Sequence, residues 1–239
     1  IIYEGTYEIY DFPVIYKLLR ILHEDDLIKT LEQLSDLISG MMVDNVGIAE
    51  VIKGIPKYGG FCLNITNAHA AMMFGKTGQQ VCLSLELSGN QIRTLMKHLA
   101  SYHHAPKTEV IVQGKLKVMI TRNCIPVIAL ECPSCNHSWA FKDETGRIFR
   151  VRPDTNFCNH ILHSSEICLI EHTEALVRSG FSVLSIDARG RSPDYVRRMV
   201  SLYKASVVGG NVKELKDQIR DIASGGITAA HYLRGVSTT

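Results

Sequence analysis

Short β-branched or apolar runs alternate with stretches of helical period from residue 14 onward, and the pattern repeats about every 20 to 30 residues. This alternation predicts repeated βα units. The predicted strands cover residues 14–21, 41–46, 61–65, 81–86, 110–116 and 182–187. Strands connected by helices of this length are parallel neighbours joined by right-handed crossovers, which predicts either an α/β barrel or a doubly wound sheet. The pattern by itself favours neither.

Start and stop signals support the helices between these strands. One apolar face, ending at Gly40, is predicted to form a helix whose last position is left-handed. A capping box of Ser88 and Gln91 opens a second helix. The other predicted starts are Ser164 or Ser165 for a helix that ends at Gly180, Ser192 with Pro193, and Asn211 with Glu214.

Composition limits the class of protein. The chain has 239 residues, enough for one large core, and 26 Lys and Arg against 24 Asp and Glu give a net charge of +2. The net charge therefore does not indicate nucleic acid or a membrane surface as a partner. No apolar run reaches the roughly 20 residues of a membrane span, so we expect a soluble, cytoplasmic protein. Because the chain starts at Ile1 within an alternating segment, we expect a piece of a longer protein whose amino-terminal part completes it.

Residues 121–163 interrupt the βα rhythm and contain four of the seven cysteines. Cys132 and Cys135 form a CxxC pair, whose turn lets two thiolates point at one ion, and Cys124 and Cys158 flank it. Irregular single cysteines around one pair suit an iron–sulfur cluster at least as well as zinc. We therefore expect a metal or cluster insertion here, of unspecified type. The remaining cysteines, Cys62, Cys82 and Cys168, lie in strand or helix patterns and are expected to be buried thiols.

Eight segments in order resemble the collagenase-like peptidases, the class called U-thirty-two among peptidases of unassigned mechanism. They are CLNITN at residues 62–67, LSLEL at 83–87, VIVQGKLKVMITRNC at 110–124, CPSC at 132–135, FKDETGRIFRV at 141–151, CNHILHSS at 158–165, SIDARG at 185–190 and TAAHYLRGV at 228–236. The resemblance implies an incomplete TIM-type barrel, with about six of eight strands. Residues 1–239 would be its carboxyl part, and the Cys-containing insertion would lie within it at 121–163.

The resemblance also implies a cofactor and two different activities. Some members are described as collagenases, and others hydroxylate RNA bases or a quinone precursor without molecular oxygen, using a four-iron four-sulfur (4Fe-4S) cluster. The ligands carried over are Cys124, Cys132, Cys135 and Cys158. The chain departs from the family at Ser185, where an Arg is usual, at His163, where an Asn is usual, and at Ala230, where a Gly is usual.

Asn64, Glu86, Gln113 and Asp187 lie near the carboxyl ends of predicted strands, where barrel enzymes collect reactive groups. Arg122 and His160 lie two residues from Cys124 and Cys158, within reach of a cluster or of a substrate beside it. The candidate catalytic residues are Glu86, Asp187, Arg122 and His160. The candidate substrate-binding residues are Asn64, Gln113, Arg189, His231 and Arg234. For Glu86, an ion pair with a neighbouring Arg or Lys and a functional role are equal alternatives, since a carboxylate is costly to bury alone. Arg189 and Arg191 are either a contact to an RNA phosphate or a solvated helix entry.

Three functions follow from these observations. The first is an iron–sulfur hydroxylase of an RNA base or a small aromatic substrate. The second is a peptidase acting on collagen-like or other proteins, although the chain has no HExxH or GxSxG motif. The third is a scaffold or RNA-binding module in which zinc or the cluster only stabilises the loop. The sequence leaves the oligomeric state open.

Overall fold

A computed structural model describes residues 2–3, 14–18, 20, 24–34, 38–123, 139–153 and 158–236. The chain divides into two compact units. The first comprises Ile1–Val110, Arg178–Leu184 and Ala230–Thr239, and the second comprises Ile111–Val177 and Ser185–Ala229.

The first unit is built on parallel β-structure. Its strands are β1 (Ile2–Tyr3), β2 (Ile15–Lys17), β3 (Gly40–Val43), β4 (Lys57–Gly59), β5 (Gln80–Cys82) and the start of β6 (Lys107–Gly114). Each strand pairs in parallel with the next. The helices are α1 (Glu24–Leu34), α2 (Val46–Val51), α3 (Ala68–Gly75) and α4 (Gly89–Leu99). The predicted βα alternation is therefore confirmed.

The strand expected at residues 61–65 is wrong in position. Strand β4 lies earlier, at Lys57–Gly59, and Phe61–Leu63 forms one turn of 3₁₀ helix. The sequence signal was hidden because β4 begins with a buried lysine, whose Nζ donates to the carbonyls of Ala49 and Ile52 at 2.9 and 3.2 Å. These bonds satisfy carbonyl groups near the end of α2 and so remove the cost of burying the ammonium.

The expectation for Gly40 is also wrong. Helix α1 ends at Leu34, and Gly40 is the first residue of β3, outside the left-handed region. A Cβ at this position would lie 2.8 Å from the Pro56 carbonyl oxygen and 2.5 Å from the Tyr58 ring. The glycine therefore permits close packing of neighbouring strands rather than ending a helix.

Helix α4 matches its prediction closely. The capping box of Ser88 and Gln91 is present in both directions. The predicted apolar face of α4 is buried, at Ile92, Leu95, Met96 and Leu99. The cap fixes the start of this helix locally, and the apolar face predicts which side of it packs against the rest of the unit.

The second unit contains the end of β6 and three shorter strands. These are β11 (Glu166–Cys168), the end of β12 (Val183–Asp187) and β13 (Ile227–Thr228). Strand β11 pairs antiparallel with β6 and parallel with β13, and β12 also pairs with β6. Helices α5 (Thr173–Arg178, which ends in the first unit), α6 (Pro193–Val207) and α7 (Val212–Ile222) accompany them. The predicted starts of α6 and α7 are confirmed.

The helix start expected at Ser164 or Ser165 is wrong, because residues 166–168 form β11 and α5 begins at Thr173. Strand pairing on both sides of β11 overrides the local helical pattern. The predicted end at Gly180 does follow α5, with φ of +87°.

The interruption of the βα rhythm corresponds to an antiparallel sheet. Its strands are β7 (Lys117–Thr121), β8 (Trp139–Lys142), β9 (Ile148–Pro153) and β10 (Asn159–Leu162), in the order β7-β10-β9-β8. The fold is thus α/β with mostly parallel pairing in its larger sheet. Within the described ranges the pairings do not close into a barrel. No helix in that part of the chain is long and apolar enough to cross a membrane.

Candidate functional site

A buried ion pair lies at the carboxyl edge of the first unit. Parallel pairing brings the ends of β2 and β3 to the same edge, and there Lys17 Nζ donates to Asp44 Oδ2 at 2.6 Å. Their side chains are only 5% and 2% exposed. The other carboxylate oxygen accepts from the backbone N–H of Cys62 at 3.3 Å. Sequence reasoning missed this pair, although a lysine and an aspartate in two apolar strand runs were its signal.

The residue after β4 shows how tightly this edge is packed. A Cβ on Gly60 would overlap the Asp44 carboxylate and lie 3.2 Å from Lys17 Nζ. The Lys17 ammonium also lies 5.8 Å from the centroid of the Phe61 ring. Only glycine leaves room for the ion pair beneath this loop.

Asn64 and Ser84 come together at the same edge. Asn64 is exposed in a left-handed conformation with φ of 52°, and its Oδ1 accepts from the Ser84 hydroxyl. The Ser84 oxygen accepts in turn from the backbone N–H of Glu86 at 3.2 Å. Strand β5 ends before Glu86, and the Glu86 side chain is exposed rather than buried. Ser84 is buried and its one proton is donated to Asn64, so the exposed Asn64 amide is the group of this pair that can contact a ligand, and the Glu86 carboxylate is also exposed.

The carboxyl-terminal segment of the first unit packs on the start of α4. The Tyr232 ring occupies the space that a Cβ on Gly89 would need, and burial raises the pKa of this tyrosine. His231 is exposed, with Nδ1 at 3.2 Å from the Gly235 carbonyl oxygen, and Arg234 is exposed. Contact with the fold is therefore made by Tyr232, while His231 and Arg234 face solvent.

A buried polar network occupies the second unit. Glu166 is fully buried, and its Oε2 accepts from Gln113 Nε2 at 3.0 Å and from the Tyr195 hydroxyl at 2.7 Å. Its Oε1 accepts from the Arg191 guanidinium and from the backbone N–H of Ser224 at 3.2 Å. Each carboxylate oxygen thus has two donors. Desolvation, followed by the hydrogen bond to Glu166, raises the pKa of Tyr195 far above its usual value, so this hydroxyl stays protonated.

Gln113 is therefore a member of a closed network rather than an isolated strand-end side chain. It is fully buried, and its Oε1 accepts from the Tyr203 hydroxyl at 3.2 Å. The single hydroxyl proton of Tyr203 is shared between this amide oxygen and the Val112 carbonyl, which is closer at 2.7 Å, and burial raises the pKa of Tyr203 well above the usual range. These bonds hold α6 to β6.

Asp187 and Arg189 are bound to each other. The guanidinium donates from Nε to Oδ1 at 2.8 Å and from Nη2 to Oδ2 at 2.5 Å, which is a bidentate pair. Gly114, at φ of +137°, lies so close that a Cβ would be 2.7 Å from the Asp187 Cβ. The sequence placed both side chains at the end of β12 but did not indicate that they pair.

Of the four predicted cluster ligands, only Cys158 lies in the described ranges, since Cys124, Cys132 and Cys135 fall outside them. Cys158 is 1% exposed and immediately precedes β10. The Asn159 amide donates to the Asn123 carbonyl at 2.9 Å, and Asn159 pairs with Thr121 across the ladder. Cys158 is therefore next in sequence to a residue that contacts Asn123, and Asn123 immediately precedes Cys124. Burial is equally typical of a structural thiol, so the ligand role of Cys158 stays a prediction.

The two residues named beside the cluster differ in exposure. His160 is buried on β10, opposite Ile120, while Arg122 follows β7 and is exposed. The described residues contain no group of three or more His, Cys, Asp or Glu side chains able to hold a metal ion. Cys82 and Cys168 are buried as expected, and Cys62 is half-buried. The cluster itself stays a prediction.

Comparison with known proteins identifies the family. The profile described as peptidase family U32 matches residues 14–238. The chain belongs to this family. An uncharacterized protease of Methanocaldococcus jannaschii is 23% identical to this U32 chain over 241 residues, covering 91% of the chain and 58% of the relative. A collagenase of Porphyromonas gingivalis is 22% identical over 161 residues, covering 61% and 38%. No solved structure matches significantly.

Proposed function

We propose that this U32 chain is part of an iron–sulfur enzyme that hydroxylates an RNA base, or a related aromatic ring, without molecular oxygen. The observation that carries the proposal is the buried Cys158, held by the β7–β10 pairing beside Asn123 and so beside the start of the Cys-containing loop. Zinc in the same loop is the alternative occupant.

The cluster would be held by Cys124, Cys132, Cys135 and Cys158, and it would supply electron transfer when bound. The protein's own contribution is positional. The Asn159 amide holds the strand end that leads into Cys124.

The proposed architecture is an incomplete TIM-type barrel. The support is the run of parallel pairings from β1 to β6, with polar groups gathered at the carboxyl edge. The chain spans 58% and 38% of the two curated relatives it matches. The missing strands would then come from the amino-terminal part of a longer protein.

Metal analysis tests the proposal directly. The longer protein is purified without oxygen, and iron, sulfide and zinc are measured together with the visible absorption spectrum. We expect about four irons and four sulfides per chain, lost in Cys132→Ser and kept in the control Cys62→Ala, whose thiol lies outside the loop. One zinc and no iron would refute the cluster. RNA modification mapping in a deletion strain then tests for a missing hydroxyl group.

A second candidate is a peptidase, and it is favoured by the names of the two relatives, a protease and a collagenase. Gelatin hydrolysis separates the two candidates. Activity that survives removal of iron and the Cys132→Ser substitution would favour the peptidase and contradict the hydroxylase. Absence of gelatinase activity in protein that contains the cluster would contradict the peptidase.

A further inference from the structure

Two cationic side chains of the second unit converge on one hydroxyl group. The Arg191 guanidinium nitrogens lie 3.3 and 3.4 Å from Ser224 Oγ, and Lys115 Nζ lies 3.5 Å from the same oxygen. Lys115 also donates to the Ser224 carbonyl at 3.3 Å. A neutral hydroxyl thus serves as the shared acceptor of two positive charges.

The charges around this hydroxyl do not balance. The carboxylate at this point is Glu166, which is fully buried and already accepts four donors, including Arg191. Desolvation lowers the pKa of Lys115 most, the positive charges of Arg191 and Arg150 lower it further, and the Glu166 carboxylate offsets only part of this shift. Positive charges held this close repel one another, and a bound anion relieves that repulsion.

The cations are held in place before any ligand arrives. Arg191 is fixed by Glu166 and lies over the Tyr195 ring, with Cζ 4.8 Å from the ring centroid. Ser224 is fixed by its backbone N–H to Glu166. The following Gly225 has φ of +83°, and a Cβ there would overlap the Ser164 carbonyl, so this turn is held in one conformation. Fixed donors lose little entropy on binding.

We propose that Lys115, Arg191 and Ser224 form a phosphate-binding site. A guanidinium fork, an ammonium group and a hydroxyl group supply several donors to the tetrahedral oxygens of one phosphate. The phosphate is a backbone phosphodiester of RNA, and this part of the inference rests on the proposed function. Arg189 is not assigned to the site, because its guanidinium is bound through two nitrogens to Asp187, whereas the Arg191 guanidinium reaches Ser224 as well as Glu166.

Fluorescence anisotropy with a labelled single-stranded RNA of about 20 nucleotides tests the site. We expect Lys115→Gln to weaken binding about 3- to 10-fold at low salt and to reduce the salt dependence by about one phosphate contact. The charge-matched control Lys204→Gln removes an exposed lysine of α6 and is expected to leave both quantities unchanged. Equal losses in the two variants would overturn the proposal, because they would reflect net charge alone.

Two further measurements separate the possible failures. Lys115→Gln removes a repelled charge, so its thermal unfolding is expected at or above the temperature of the parent chain, which excludes misfolding as the cause of lost binding. Inorganic phosphate that competes with RNA in the parent chain but not in Lys115→Gln supports the site. Phosphate binding that depends on Lys115 in a chain that binds no RNA overturns the RNA assignment alone. RNA binding and RNA hydroxylation are measured separately. If the protein binds RNA at this site but hydroxylates no base, the proposed function is refuted and the phosphate site is retained.

Discussion

Replacing Asp44 with alanine is expected to destabilise the first unit by about 3–5 kcal/mol, because it leaves the Lys17 ammonium buried without a counter-charge. The magnitude follows from the structure. Both side chains are at least 95% shielded from solvent, and Lys17 Nζ lies 2.6 Å from Asp44 Oδ2. The substitution also removes the acceptor of the Cys62 N–H, a loss of about 1 kcal/mol that lies within this range.

The assay is equilibrium urea unfolding of the 239-residue chain, analysed as a double-mutant cycle with Lys17→Met. The double variant Lys17→Met with Asp44→Ala is expected to be more stable than the sum of the two single losses predicts, by about 2 kcal/mol or more. Asp194→Ala breaks an ion pair with Arg197 whose partners are 79% and 74% exposed, and it serves as the matched control with a loss of less than about 1 kcal/mol. Additive single losses, or a loss in Asp44→Ala no larger than in Asp194→Ala, would refute the buried-charge argument.

Three other predictions concern backbone strain and a pKa. Ala230 has φ of +48°, where glycine is favoured, so Ala230→Gly should raise the free energy of unfolding by about 1 kcal/mol in urea, and a loss would contradict the strain. Gly114→Ala should cost more than about 2 kcal/mol because its Cβ would meet Asp187, whereas Gly209→Ala, also at positive φ but with open space around it, should cost about 1 kcal/mol; equal losses would exclude the steric cause. The Thr145 hydroxyl, followed by the bonds from Arg147, lowers the pKa of Asp143 to about 2. Because the folded pKa is lowered, the stabilisation is present above the usual 3.8 and is lost as the pH falls toward 2. In an NMR titration, the pKa of Asp143 is expected to be higher in Thr145→Ala than in the parent chain. An unchanged pKa would exclude the Thr145 hydroxyl as the cause.

Local signals predicted a large part of the fold. The Ser88 capping box, the Ser192–Pro193 start and the apolar face of α4 lie within one or a few turns of chain, so the sequence contains everything that determines them. The predictions failed where a distant partner decides. Residues 166–168 are helical by pattern yet form a strand, because β6 and β13 pair with them.

The candidate site shows the same limit. The residue types and their approximate positions at strand ends were recognised for Gln113, Asp187 and Asn64. The partners of Gln113 and Asn64 were missed because they lie far away in the sequence. Arg189 lies only two residues from Asp187, but it was assigned to the substrate instead. The Lys17–Asp44 pair was missed because isolated charges in apolar runs resemble strand ends, and only strand register shows that they meet.

The sequence by itself determined the βα alternation, the family and the cysteine-containing interruption. Periodicity, capping and motif order depend only on the linear order of residues, so they can be recognised without a structure. The tertiary structure decided which charges are buried and which groups neutralise them. Glu166 illustrates the difference. Nothing near it in the sequence explains a fully buried carboxylate, but β6, α6, Arg191 just before α6, and the turn at Ser224 together supply its four donors. Desolvation of a charge is compensated only by partners in space, and these are set by how the strands and helices pack.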